Sequence, residues 1–230
     1  MFCSNDAGSP KGGGQMNYIE NIYICLVAPI LISAICIGKR GRRMMLFVFG
    51  GMTVCLLSSY ISTFFVNGLQ VNALTAAVDV APIVEEIMKI CPILFYLLVF
   101  EPDREGIAGS VLMTAVGFAT LENACYLSQN GAEQFSSLLI RGFGTGAMHV
   151  VCGAFIGIGL LFLYERVWLQ IVGTVGLLAI AISYHSIYNL LVSKPGIPAL
   201  IGYFIPIISV FAVILPIRRK LMKLRGSSDK

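Results

Sequence analysis

Charge is scarce in this chain of 230 residues: 12% of the residues are charged, 57% are hydrophobic, and the mean hydropathy is +0.84. A soluble domain carries about twice that charged fraction. The composition therefore excludes an ordinary soluble protein and predicts an all-α, polytopic membrane helix bundle. The formal net charge of +4 would suit nucleic acid. The basic residues cluster at the ends of apolar runs, however, so we expect the lipid bilayer and no nucleic acid as a partner.

Recognisable metal and disulfide motifs are missing as well. The seven cysteines are an odd number and form no CxxC pair, so neither a disulfide framework nor a zinc knuckle is indicated. There is no HExxH sequence, so a metal site would have to be assembled from separate helices. The first residues lack the basic region and short apolar region of a signal peptide, and we expect the first apolar run to remain as a membrane span.

What the chain does contain is a series of apolar runs long enough to cross a bilayer. The runs are approximately 18–38, 44–66, 80–100, 106–128, 136–164, 167–192 and 199–217. We therefore predict about seven transmembrane helices, with six to eight compatible with the pattern. The predicted organisation is a polar, Gly-rich tail (1–17), a single transmembrane domain (18–217) and a basic tail (218–230).

Lysine and arginine are distributed unequally between the two ends of these runs. One side carries the first loop, with Lys39, Arg40, Arg42 and Arg43, and the basic C-terminal tail. The other side carries only Lys11 and Lys194 in its loops. Basic loops stay in the cytoplasm, so we predict a multi-pass cell-membrane protein with an extracytoplasmic N-terminus and a cytoplasmic C-terminus.

Polar side chains interrupt four of the runs. The third run carries Glu85, Glu86 and Lys89, and the later runs carry Glu122, His149, and the pair His185 and Asn189. At a rise of about 1.5 Å per residue, Glu85, Glu122 and His185 lie roughly 8–10 Å below the outer face, and His149 lies at most about 20 Å below it. Ionisable groups are costly in hydrocarbon, which makes them candidates for a functional site.

Local spacing adds two expectations about these helices. Asp79 is predicted to cap the helix of the third run. Asn189 lies one turn after His185, where its amide could fix the tautomer and orientation of the imidazole. Arg141 is placed either at the outer interface, where it would snorkel towards water, or against a substrate carbonyl or carboxylate.

The chemistry open to such a set is hydrolysis. Two adjacent carboxylates in a medium of low dielectric cannot both ionise easily, which suits a general base that takes a proton from water. Histidines across the cavity could stabilise a developing oxyanion. Alternatively, carboxylate and imidazole ligands could bind Zn²⁺ and activate its bound water. Both versions amount to water attacking an amide inside the membrane, and the residues leave the choice between them open.

Four ordered motifs in the third to sixth runs resemble those of a known family. They are Glu85-Glu86-x-x-Lys89, Phe118-x-x-x-Glu122 followed by Asn123, His149, and His185-x-x-x-Asn189. This set is similar to the PrsW family of intramembrane proteases, and more distantly to the CAAX-protease and bacteriocin-processing group. Against that wider group, Lys89 stands where an Arg sits one residue later, and Glu122 stands where a His is usual.

The resemblance implies a membrane-embedded endopeptidase that makes a site-1 cut in a single-span membrane protein such as an anti-sigma factor. It implies that Glu85 or Glu86, preferably Glu85, is the general base, and that Lys89 tunes the ionisation of the pair. His185 with Asn189 would polarise the scissile carbonyl or bind a metal. Glu122 and His149 would position water or complete the metal shell, so the implied zinc ligands are His149, His185 and Glu122.

Two other functions are compatible with polar groups in membrane helices. A proton- or cation-coupled transporter also uses intramembrane Glu, Lys and His residues. The sequence shows no inverted repeat and no paired broken helices, which counts against transport. The second alternative is a non-catalytic membrane partner, such as an immunity-like protein, in which the same residues would only hold helices together.

Overall fold

The computed structural model describes residues 19–100, 102–130, 135–162 and 167–228, and every regular element in these ranges is helical. The elements are α1 (Ile19–Cys36), α2 (Lys39–Leu69), the short turn α3 (Ala73–Thr75), a π-helical segment (Ala76–Val80), α4 (Ala81–Phe100), α5 (Arg104–Asn130), α6 (Phe135–Phe162), α7 (Val167–Val192) and α8 (Ile197–Ser228). The predicted tail 1–17 lies outside the described residues.

Each predicted span coincides with one long helix of the described ranges. Five segments are long and apolar enough to cross a membrane: Ile19–Cys36, Lys39–Leu69, Arg104–Ser128, Leu138–Leu161 and Ile171–Val192. Ile197–Ala212 is a shorter apolar segment, and α4 combines 20 residues with its three ionisable groups. Large apolar side chains are exposed on the outer surface, which is expected where lipid replaces water. The protein is an all-α polytopic membrane bundle.

The central helices of the bundle are α5 and α6. Helix α5 packs against α2 and α6, and α6 also packs against α7 and α8, while α1 covers the outer side of α2. Two apolar clusters result, one between α4, α5, α6 and α7 and one between α1, α2 and α5. The candidate site lies where these two clusters meet.

Two glycines allow the backbones of α2 and α5 to touch. A Cβ atom on Gly51 of α2 would overlap the carbonyl oxygen of Thr114 in α5, and a Cβ on Gly117 of α5 would overlap the carbonyl oxygen of Val48 in α2. Small residues permit this kind of close approach between membrane helices. The spacing of α2 and α5 is therefore fixed by direct backbone contact.

The entry to α4 differs from the prediction. Asp79 does not cap the helix, because it lies inside the π-helical segment that runs directly into Ala81. The capping residue of this stretch is Asn72, whose side chain accepts a hydrogen bond of 2.9 Å from the backbone N–H of Thr75. A π-helical turn widens the helix and leaves its backbone groups open to outside partners, and such turns often occur at functional sites.

Candidate active site

Four helices bring the polar residues of the predicted set into one layer. Helices α4 and α6 begin at the same end of the bundle where α5 and α7 end, so the early part of α4 lies beside the late parts of α5 and α7. The side chains that meet there are all buried: Glu85, Glu86, Lys89, Glu122, His149 and His185. The structure therefore brings together residues up to 100 positions apart in the sequence, as the depth argument predicted.

Lys89 joins three of these helices. Its Nζ atom lies 2.7 Å from Glu86 Oε1 and 2.7 Å from His149 Nδ1. An ammonium group can only donate, so His149 Nδ1 accepts. The opposite ring nitrogen, Nε2, then carries the proton that bonds to Glu122 Oε2. Lys89 Nζ also lies 4.3 Å from the centre of the Phe118 ring, a cation–π distance.

His185 is held between the two adjacent glutamates. Its Nδ1 atom lies 2.8 Å from Glu86 Oε1, and its Nε2 atom lies 3.8 Å from Glu85 Oε2. The imidazole rings of His185 and His149 are nearly perpendicular, with 5.2 Å between their centres. Glu86 is thus the residue that orients His185, and the predicted role of Asn189 in this is not what the structure shows.

Asn189 instead ties α7 to the π-helical segment before α4. Its Nδ2 atom donates a hydrogen bond of 2.8 Å to the carbonyl oxygen of Ala77. A π-helical turn leaves carbonyl oxygens available for such a bond. Asn189 therefore holds the entry to α4 against α7, only a few residues before Glu85.

Glu85 differs from the other buried charged groups because it makes no hydrogen bond to any residue that the structure describes. Its Oε2 atom is fully buried and without a hydrogen-bond partner there. Glu86 Oε2 is also without one, but the other oxygen of Glu86 has two partners. An unpaired buried carboxylate is costly unless a proton, a cation or water compensates it.

A small cleft opens beside Glu85, with room for about one water molecule. Its lining comes from α2, α4 and α5: Cys55, Ser59, Ser62, Glu85, Phe118 and Glu122. The α2 residues of this lining were missed by sequence reasoning. Serines at such spacing are common in membrane helices, so the pattern 58, 59 and 62 carries little functional signal by itself.

Arg141 lies eight residues before His149 on α6. Its guanidinium carbon is 3.4 Å from the centre of the Tyr126 ring, and its Nε atom is buried without a hydrogen-bond partner in the described chain. Nearby on the same helix, the Thr145 hydroxyl lies 2.7 Å from the Tyr188 hydroxyl. The prediction that Arg141 contacts substrate remains a prediction.

Glu85, His149 and His185 form a buried group whose possible ligand atoms all lie within 4.8 Å of one another. One carboxylate and two imidazoles are a donor set that zinc peptidases use. Glu86 beside His185, and Glu122 beside His149, provide the carboxylate partners that metal-binding histidines need. Three carboxylates here face one ammonium group, so a divalent cation would balance their charge. The residues fit a metal, with Glu85 in place of the predicted ligand Glu122.

The contact between Lys89 and His149 affects how a metal would bind. Lys89 Nζ occupies the lone pair of His149 Nδ1, whereas Nε2 of His185 faces Glu85. If Nδ1 is the ligand atom, Lys89 would have to leave His149 for that imidazole to bind an ion. Lys89 and a metal therefore compete for the same nitrogen.

Comparison with known proteins agrees with this geometry. A family model described as the PrsW family intramembrane metalloprotease matches residues 40–215, which include all the residues of the polar layer. No curated protein and no solved structure gives a significant match to the chain. The match makes the protein a membrane-embedded peptidase and favours this function over the transporter and the non-catalytic partner. The chain belongs to the PrsW family of intramembrane metalloproteases.

Proposed function

We propose that the protein cuts a peptide bond of a single-span membrane protein with a water molecule activated by Glu85. The observation that carries this proposal is the difference between the two adjacent carboxylates. Glu86 Oε1 is engaged by Lys89 and His185, whereas Glu85 Oε2 has no hydrogen-bond partner among the described residues, lies 3.8 Å from His185 Nε2 and borders the cleft. A general base needs a free lone pair within reach of water, and Glu85 has one.

The reaction balances with this chain's own groups. The Glu85 carboxylate takes one proton from water as the water oxygen bonds to the scissile carbonyl carbon, and the carbonyl oxygen becomes an oxyanion. Protonated Glu85 then gives that proton to the amide nitrogen as the C–N bond breaks. The products are a carboxylic acid end and an amine end.

The remaining polar residues hold Glu85 and Glu86 in place and stabilise the negative charge of the oxyanion. Lys89, held by Glu86 and His149, supplies a fixed positive charge in a site of low dielectric, where it favours an oxyanion. His185 stands between Glu85 and Glu86 and fixes their relative position. Asn189 is a positioning residue that acts through the segment before α4.

Zinc is the alternative form of the proposal, because the donor set fits it. In that form Glu85, His149 and His185 would hold the ion, with Glu86 and Glu122 orienting the two imidazoles, and Glu85 would be a ligand instead of the general base. When bound, such an ion lowers the pKa of a coordinated water and polarises a carbonyl. The family's description as metalloproteases supports this assignment.

The proposed orientation follows from the distribution of charge, and the proposed substrate follows from the family resemblance. Arg40 and Arg43 contact Glu105 and Tyr96 at the end of the bundle opposite the polar layer. Because basic ends stay in the cytoplasm, we place the layer in the outer half of the bilayer, with the N-terminus outside and the C-terminus inside. A cut there suits site-1 cleavage of an anti-sigma factor.

A cleavage assay with purified protein in detergent or liposomes tests the general base. The substrates are single-span membrane proteins, among them anti-sigma factors. We expect Glu85→Gln to lower the cleavage rate by about 10²–10⁴-fold, because it removes the base but keeps the shape of the side chain. Glu105→Gln is the matched control, since it removes a carboxylate at the opposite end of the bundle. Full cleavage by Glu85→Gln would rule out this assignment.

The metal is tested by its content in the purified protein. We expect about one zinc per chain in the wild type, less in His149→Ala and His185→Ala, and tighter binding in Lys89→Met, where the competing ammonium is gone. The measurement is elemental analysis after dialysis against a weak chelator. Full activity after complete removal of zinc would contradict a metal-dependent reaction.

A further inference from the structure

Ser62 of α2 has a hydroxyl group that departs from the rest of its helix. Ser58, Ser59 and Thr63 each donate to a carbonyl oxygen of the preceding turn, at 2.6 to 2.7 Å. Ser62 is only 6% exposed, and its Oγ atom has no hydrogen-bond partner within the described ranges. A buried hydroxyl without a partner is unfavourable, and a bound water is a partner that would satisfy it.

The second unpaired oxygen at this place is Glu85 Oε2, and both residues line the same cleft. The other polar groups around it are already bonded: Ser59 to its own helix and Glu122 to His149. The cleft has room for about one water, and a buried water needs two to four polar partners. The cleft therefore offers space for a single water and two unsatisfied oxygens to hold it.

We infer that Ser62 and Glu85 together hold the water that attacks the substrate. This inference rests on the proposed function, because it makes Ser62 a positioning residue for the base Glu85. The water donates one hydrogen to Glu85 Oε2, and this hydrogen is the proton that the base removes. The water donates its second hydrogen to Ser62 Oγ, which leaves a lone pair of the water oxygen free for the carbonyl carbon.

Helix α2 thereby becomes part of the active site, although it carries none of the family-like motifs. Cys55 and Ser59 of α2 and the Phe118 ring of α5 also line the cleft. Apolar walls limit the number of waters that can enter.

The isosteric pair Ser62→Thr and Ser62→Val tests the role of the hydroxyl in the cleavage assay. Both variants have the same branched shape, and only threonine keeps an oxygen. We expect Ser62→Val to have a kcat about tenfold or more below that of Ser62→Thr, with an equal KM, because one hydrogen bond to the water is lost. Ser58→Ala removes a buried hydroxyl one turn away that does not line the cleft, and it should keep the wild-type kcat.

Equal kcat values for the threonine and valine variants would overturn the inference. A difference confined to KM would also overturn it, because the hydroxyl would then bind substrate and not water. An experimental structure at a resolution that shows waters separates this inference from the proposed function. We expect a water between Ser62 and Glu85 in the wild type and none in Ser62→Val.

If no water lies there while Glu85→Gln still abolishes cleavage, the inference on Ser62 fails and the general base stands. If the water is present but Glu85→Gln cleaves normally, the proposed role of Glu85 fails, and the inferred role of Ser62 fails with it.

Discussion

The two sides of the polar layer differ in how their side chains are paired. On the side of α6 and α7, a continuous set of contacts joins Glu86, Lys89, His149 and Glu122, and His185 bonds to the same oxygen of Glu86 as Lys89 does. On the side of α2, the oxygens of Glu85 and Ser62 have no hydrogen-bond partner in the described chain. We propose that the paired side holds the helices together and that the unpaired side receives water and substrate.

This difference shows how one fold can use two adjacent carboxylates for different tasks. Residues 85 and 86 are separated by about 100° around the helix axis. Glu86 therefore points towards α7 and α6, where its partners lie, and Glu85 faces the cleft beside α2. We propose that the same chemical group is structural at position 86 and reactive at position 85.

The largest effect on stability is expected from breaking the paired side. Lys89→Met removes the cation shared by Glu86 and His149, and the loss of one partner from a buried ion pair costs about 3–5 kcal/mol. The measurement is thermal unfolding in detergent. Unfolding is monitored through the reaction of a thiol dye with the buried cysteines Cys55, Cys125 and Cys152, which become accessible as the protein unfolds.

Glu85→Gln is the control for that measurement. It also alters a buried carboxylate in the same helix, but one without a hydrogen-bond partner among the described residues. We expect its free energy of unfolding to stay within about 1 kcal/mol of the wild type. If Lys89→Met and Glu85→Gln unfold at the same temperature, the distinction between a paired and an unpaired side is wrong.

An intermediate effect is expected at the contact that sets the width of the unpaired side. Gly117→Ala forces α2 and α5 apart, because the added methyl group overlaps the backbone of Val48. Overpacking of this kind costs about 1–3 kcal/mol. It should also slow cleavage, since Ser62 and Glu122 lie on the two helices that separate.

Gly176→Ala provides the matched control, because a methyl group at that position meets nothing within 4 Å. It should leave both stability and cleavage close to the wild type. Equal behaviour of the two alanine variants would show that the contact between α2 and α5 does not define the cleft.

The smallest effect is expected at the edge of the paired side. Asn189→Ala removes the bond to the carbonyl of Ala77, at a cost of about 1 kcal/mol. His185 keeps both glutamate neighbours in this variant, so we expect cleavage to slow only about three- to tenfold. Ser193→Ala is the control, because Ser193 is exposed and lies one turn after Asn189 in the chain. A loss as large as that of Glu85→Gln would mean that Asn189 contacts the substrate.

The membrane helices and the members of the polar layer were accessible from the sequence. Ionisable residues such as Glu86 and His149 stand out in apolar runs, and helical rise places them at similar depth. Their pairing was not accessible, because it depends on the rotation of each helix about its axis. The sequence assigned Asn189 to His185, and the structure bonds it to Ala77 because a π-helical turn presents that carbonyl.

The role of α2 was not predictable for a different reason. Hydroxyl groups in membrane helices usually bond to their own backbone, as Ser58 does, and a sequence does not mark the one that fails to. Only the structure shows that the Ser62 hydroxyl has no hydrogen-bond partner among the described residues and that Ser62 shares a cleft with Glu85. Gly51 and Gly117 were missed in the same way, since their partners are backbone atoms of another helix.

The contact at Gly51 and Gly117 has a consequence for how a substrate enters. Helices that touch through their backbones cannot close further, and they lose their interlocking contact as soon as they part. If the substrate entered between α2 and α5, the two helices would have to separate, and the proposed water site between them would be disrupted. We expect the moving part to be elsewhere, at α1, which covers α2 through the hydrogen bonds of Tyr23 with Thr53 and of Tyr60 with Glu20. The distance between α2 and α5 at the proposed water site would then stay constant while α1 moves.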